Sequence, residues 1–283
     1  LFETADGKCR LRNDMPRFAL FAAVLLAAAT AAAQKPAPAP EPEPPPQVSA
    51  TVMVPVVGKV FGAGSVQWRT DVDLINNLGR DVMVMLTLPT APEEPFLLLP
   101  LPAGATQRLP DVIGAFALDR ALSPLMVKTI NSRKPVGVAA TVYAVKLDDP
   151  SAPVHPEPIA VSYVDAFHPV RTLYGLSFSD NFRTNVGIAN LGEAPALFTI
   201  ALQRVSGRNI AITQLTVPPG TLWHTSIQAL FPLITKGDDF SIVIETGYHD
   251  TYVYASVIEN ATNEARFIQP AIGTTVQSAS TSQ

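Results

Sequence analysis

The chain has 283 residues, 47% of them hydrophobic and 16% charged, with a formal net charge of −4 and one cysteine. A mildly acidic chain without any Lys/Arg cluster speaks against nucleic acid and against anionic membrane surfaces as partners. A single cysteine rules out a disulfide framework and a thiolate metal cluster.

Residues 1–14, "LFETADGKCRLRND", read as an upstream leader translated from before the natural start and absent from the native protein. Residues 15–33 then have the parts of a secretory signal peptide. Met15, Pro16 and Arg17 form a basic start, an apolar run extends from Phe18 to Ala33, and Ala31-Ala32-Ala33 is a small-residue exit before Gln34. The Ala-rich run falls short of the roughly 20 strongly apolar residues that span a bilayer, so cleavage is expected, with no membrane insertion afterwards. Because Cys9 lies in the leader, the mature chain would contain no cysteine, hence no Cys nucleophile and no lipoprotein attachment site. Such a protein is periplasmic, cell-surface or secreted.

Residues 34–50 form a Pro-rich linker, with "KPAPAPEPEPPPQ" at Lys35–Gln47. Alternating Pro favours extended polyproline II over helix or central strand, and at about 3.1 Å per residue it spaces a folded part by roughly 40 Å.

Beyond the linker the chain repeats itself. "WRTDVDLINN" at Trp68 returns as "FRTNVGIANL" at Phe182, placing Arg69 and Arg183 114 positions apart. Gly104 and Gly220, each in a Pro-Gly turn, are 116 apart, and Tyr143 and Tyr254, each within "VYA", are 111 apart. These offsets predict a tandem duplication in units of about 110 residues. In each unit the turn precedes a short helical segment, within Pro110–Leu118 and Thr225–Leu233, capped by Asp111 and by Thr225 or Ser226.

The remainder reads as strands rich in β-branched and aromatic residues, separated by Gly, Pro, Asn and Asp. They fall at 82–88, 124–130 and 136–145 in the first unit, and at 196–205, 209–217, 240–246 and 251–258 in the second. "IAVSYV" (Ile159–Val164) is the expected last strand of the first unit. About seven strands per unit predicts an all-β chain of two tandem immunoglobulin-like β-sandwiches, each with one short helical segment. The expected bounds are 51–165 and 166–270, with a disordered tail over 271–283. Aromatic-Arg-Thr-Asp/Asn strands, a Pro-Gly turn with a short helix, and the closing "YASVIEN" resemble uncharacterised tandem β-sandwich repeats in exported bacterial proteins. That resemblance supports fold and export and implies no particular chemistry.

Within the aromatic-Arg-Thr strands, period-two alternation puts Trp68, Thr70, Val72 and Leu74 on one face, matched by Phe182, Thr184, Val186 and Ile188. Arg69, Asp71 and Asp73 share the other face with the look of a solvated sheet surface, whereas the second unit has Arg183, Asn185, Gly187 and Ala189 there. The inward pattern is kept and the outward chemistry is not, so the repeat reads as a fold marker, with Arg and Thr as candidates for a structural hydrogen bond.

The sequence contains no Gly-x-Ser-x-Gly, no His-Glu-x-x-His and no phosphate-cradling glycine loop. His155, His168, His224 and His249 are scattered, and His249-Asp250 reads as a hairpin turn. The acidic pairs Asp148-Asp149 and Asp238-Asp239 lack the repeated pattern of a calcium loop. No catalytic, cofactor-binding or metal residue is therefore assigned, and no cofactor is expected. Trp223 is the one candidate for stacking on a sugar, while Trp68 fits a core position. The leading expectation is a non-catalytic exported protein that recognises a protein or polysaccharide of the envelope or extracellular space through sandwich loops or edges. A carbohydrate-binding module pair is the alternative. A pilus-type periplasmic chaperone is a minor one, because Glu93–Leu109 faintly resembles a stretch of those chaperones.

Overall fold

A computed structural model describes residues 49–149, 151–152, 154–163, 168–204 and 206–272. The expected leader, signal peptide, most of the linker and the tail beyond Ile272 lie outside the described residues. The chain divides into compact units Leu1–Pro45 and Pro46–Gln283, and every described residue belongs to the second.

That unit begins with β1 (Ala50–Phe61), β2 (Val66–Ile75), β3 (Val82–Thr87), β4 (Phe96–Leu101), β5 (Thr106–Leu109) and the one-turn α1 (Val112–Ala115). β6 (Ala121–Thr129), β7 (Gly137–Lys146), β8 (Glu157–Ile159) and β9 (Ser162–Tyr163) complete the first half. The second half contains β10 (Val170–Phe178), β11 (Phe182–Asn190), β12 (Ala196–Arg204), β13 (Asn209–Val217), β14 (Thr221–Ser226) and α2 (Ile227–Leu230). It ends with β15 (Gly237–Glu245), β16 (Thr251–Glu259), β17 (Ala265–Ile268) and β18 (Ala271–Ile272).

Both halves have the same strand order. β4-β3-β6-β1, with β9 on β1, faces β5-β2-β7-β8; β13-β12-β15-β10-β18 faces β14-β11-β16-β17. In the first half β1 also pairs with β2 at Val60–Trp68 and Phe61–Gln67, which joins its layers into one nine-stranded sheet, whereas the five- and four-stranded sheets of the second half are separate. Element for element the two orders coincide, so the duplication predicted from the sequence is present in the fold: two tandem all-β sandwiches with one helical turn each. Each sandwich has its own core. Val72, Leu74, Val84, Leu86 and Leu125 are fully buried in the first, and Val186, Ile188, Phe198, Ile200 and Ile242 in the second. These sit at alternate strand positions, as a pleated strand buried on one side requires.

Among the described residues nine strands form each sandwich, where the sequence suggests about seven; the strands it did not mark include the long β1 and β10 as well as the two-residue β18. Ile159–Val164 is not one strand. β8 pairs with β7 and β9 with β1, in the opposite layer. β17 and β18 repeat the switch, pairing with β16 and β10, so the second sandwich extends two residues into the expected tail. The expected boundary at 165 falls between β9 and β10, among residues outside the described set.

Strand register also revises one of the three landmarks. Arg69 lies opposite Tyr143, whereas Arg183 lies opposite Ile258, and Tyr254 faces Gly187. Tyr143 and Tyr254 are therefore not equivalent positions, although the Arg and Gly landmarks are. Gly104 and Gly220 adopt φ of 73° and 60°, a left-handed turn conformation that glycine reaches without a Cβ clash.

What the duplicated strand preserves is hydrogen bonding across the sandwich. Thr70 is 1% exposed, and its hydroxyl accepts from the Gly58 amide (3.0 Å) and points to the Gly58 carbonyl (3.5 Å). Thr184, fully buried, does the same with Ser177 at 3.1 and 2.7 Å. Each threonine joins its strand to β1 or β10 of the facing layer. Eight residues after the aromatic, Asn76 and Asn190 are each 1% exposed and tie together two neighbouring turns. Asn76 Nδ2 donates to the Arg80 and Leu101 carbonyls, and Asn190 Nδ2 to those of Ala194 and Val217. The arginines take no part in this: Arg69 donates to Gln67, and Arg183 to Asn260 and Asn263.

Candidate functional site

The outward faces of β2 and β11 are where the halves diverge. In the first half Asp71 is only 7% exposed, so the expected solvated face is in part buried. Its carboxylate accepts from the Asp111 amide (3.0 Å), Arg108 Nη2 (2.9 Å) and the Tyr143 hydroxyl (2.9 Å). Burial alone pushes its pKa up, but these donors more than reverse that and hold it below the ordinary carboxylate value. Burial and the same carboxylate push the Tyr143 phenol up to about 12. Asp111 caps α1 by accepting from the Gly114 amide, and Lys59 pairs with it at 2.7 Å. Ser226 caps α2 through the Ala229 amide.

In the second half the cross-strand row Arg108–Asp73–Ala139 becomes His224–Gly187–Tyr254. Tyr254 is 1% exposed, and its ring lies across β11. A Cβ at position 187 would overlap carbons of that ring and lie 2.6 Å from its hydroxyl, which is why glycine replaces the aspartate of the first half. The Tyr254 hydroxyl meets His224 Nδ1 at 3.0 Å, and its ring stacks on Phe267 with centroids 5.5 Å apart. Desolvation pushes the His224 pKa down to about 4, although the residue as a whole is exposed. Burial pushes the Tyr254 phenol up.

This face is turned toward the first sandwich. Phe267 packs against the first core, the Ser162 hydroxyl donates to the Tyr252 hydroxyl (3.3 Å), and His155 approaches Glu264 at 3.3 Å. Between the halves lies a cleft of about 630 Å³. Val60, Phe61, Trp68 and Val142 contribute its apolar wall from the first half; Arg183, Asn185, His224, Tyr254 and Ser256 line it from the second. Concavity, an apolar majority and a few convergent polar groups are the general marks of a ligand site.

Of the residues singled out in the sequence, Trp68, Thr70, Arg183, Asn185, His224 and Tyr254 line this cleft, while the other histidines and the acidic pairs do not. Asp250 adopts a left-handed turn conformation (φ 55°) after His249, as a hairpin requires. Asp149 accepts from Ser151 in a loop, and Asp239 pairs with Arg204 at 2.7 Å. Among the described residues no three His, Cys, Asp or Glu side chains cluster as metal ligands, and no helix is long and apolar enough to cross a membrane. Both tryptophans are half-buried. Trp223 packs against the second core, while Trp68 stands on the cleft wall over Gly62, where a Cβ would come within 2.9 Å of the indole Cδ1. Glu93–Leu109 forms the edge strand β4, a turn and β5.

Fold and site together define a tandem all-β sandwich protein with a cleft between its repeats. No family model and no curated protein matches the chain. Among solved structures it is similar to the apo form of Pleurotus ostreatus lectin, at 8% identity over 81% of this chain and 76% of that one. The TM-score of 0.18 is too low for that likeness to carry an argument.

Proposed function

We propose that this is a non-catalytic exported binding protein, and that it takes up a component of the envelope or extracellular space in the cleft between its sandwiches. The observation that carries this reading is the cleft itself. Two repeats with the same scaffold differ at the outward row, and the altered row is the one that lines the cleft. In the second half that row exchanges an aspartate for a glycine and admits a tyrosine, which sets an aromatic ring among the polar groups that line the cleft from that side. The signal peptide and Pro-rich linker read from the sequence support export. A saccharide is a second reading, favoured by Trp68 lining the same cleft as Asn185 and His224.

The test is native mass spectrometry of the full chain purified from its host envelope, compared with Ser256→Trp, which fills the cleft from β16. A bound species on the wild type that is lost from the variant is expected. Equal retention by both would place binding elsewhere and refute the reading.

A further inference from the structure

Resting on that reading of the cleft, we infer that its ligand is a small amphiphile, an apolar body carrying a carboxylate, with the carboxylate held beside Arg183. The inference comes from a charge that the fold leaves uncompensated. Arg183 is partly buried, and its guanidinium donates to the amide oxygens of Asn260 (2.9 Å) and Asn263 (2.7 Å). Both acceptors are neutral. They orient the guanidinium without cancelling its charge, and no carboxylate among the described residues pairs with it. A cation drawn out of water keeps its full charge only at a cost that an opposite charge offsets. Arg120, exposed at the rim, adds a second positive group, and the cleft lining contains no Asp or Glu.

The distribution of acids around the site points the same way. In the first half the equivalent face carries Asp71 and Asp73; in the second these positions are Asn185 and Gly187, so the strand that carries Arg183 has no carboxylate on that face. The acids of the junction lie instead in a neighbouring groove, lined by Glu157, Asp238, Glu259 and Glu264. His224, which lines the cleft and contacts Tyr254, is neutral at physiological pH and adds no competing charge. The walls are apolar: Val60, Phe61, Trp68 and Val142 on one side, Phe267 on the other. An apolar body meets those walls while an anionic head completes the guanidinium, whose planar fork suits a carboxylate.

The experiment uses the full chain and three probes of equal length: dodecanoate, dodecanol and dodecyltrimethylammonium. Binding is read by calorimetry and by Trp68 fluorescence in a Trp223→Phe background. Dodecanoate is expected to bind about tenfold more tightly than dodecanol, the size of one charge-assisted contact, and the cation more weakly still. Arg183→Met, which keeps the apolar stem, is expected to erase the difference between dodecanoate and dodecanol. Arg69→Met, at the equivalent position of the first half, is expected to leave it intact. Dodecanoate and dodecanol binding alike to the wild type would overturn the carboxylate inference while leaving the cleft as a binding site. Failure of all three probes to bind would overturn this inference and count against the cleft as well. The wild-type comparison decides the matter even if a variant fails to fold.

Discussion

Replacing Thr184 by valine removes one hydroxyl and almost no volume, so it isolates the clamp between β11 and β10. The hydroxyl accepts from the Ser177 amide at 3.1 Å and donates to the Ser177 carbonyl at 2.7 Å, and the threonine is fully buried. Valine leaves both backbone groups without a partner where water does not reach. Two bonds at about 1 kcal/mol each, with a desolvated group costing about 1–3 kcal/mol, lead to an expected loss of about 3 kcal/mol. Thr184→Ser keeps the hydroxyl and is expected to recover most of it, losing about 1 kcal/mol for the missing methyl. Thr70→Val is a graded control. One of its two contacts is 3.5 Å long, so its loss should be nearer 1–2 kcal/mol, roughly half as large. Urea unfolding followed by circular dichroism gives each value. A Thr184→Val stability within about 0.5 kcal/mol of wild type would refute the clamp, and a larger loss at Thr70 would refute the ranking.

Gly187→Ala forces the Tyr254 ring off β11; overpacking of this kind costs about 1–3 kcal/mol, and the hydroxyl should lose His224. A crystal structure of the variant with Tyr254 unmoved would contradict the account of the glycine. Asp71 has a lowered folded pKa, so the stability it contributes is present above pH 3.8 and lost as pH falls through the folded value. Asp71→Asn should flatten the urea-midpoint profile in that acid range, and an unchanged slope would count against the hydrogen-bonded carboxylate. His224, also depressed in the fold, loses its contribution as pH falls from 6.5 through about 4. Its imidazole should titrate by NMR near pH 4, and His224→Gln should make stability less steep in that window.

Much of the architecture was legible in the sequence because it rests on local rules. Alternating apolar residues marked β3, β12 and β16, and Pro-Gly turns followed by Asp or Ser marked the two capped helical turns. The restated inward pattern Trp68-Thr70-Val72-Leu74 marked the duplication. The asparagines at 76 and 190 were also in view, eight residues after each aromatic, yet a buried asparagine looks like any turn residue until the carbonyls it meets are known. Strands of two or three residues, such as β9 and β18, have too short a period to read.

The sequence by itself determined two sandwiches built to one plan, since period, turn chemistry and repetition are properties of neighbouring residues. Only the tertiary structure decided which outward face became a site. The Tyr143 and Tyr254 "VYA" segments look alike in sequence, but register places one beside Arg69 and the other across Gly187. Trp68 likewise left its expected core position for the cleft wall between the halves. Those outcomes depend on contacts between strands far apart in the chain, and a pattern with a period of two carries no information about what lies beyond its own sheet.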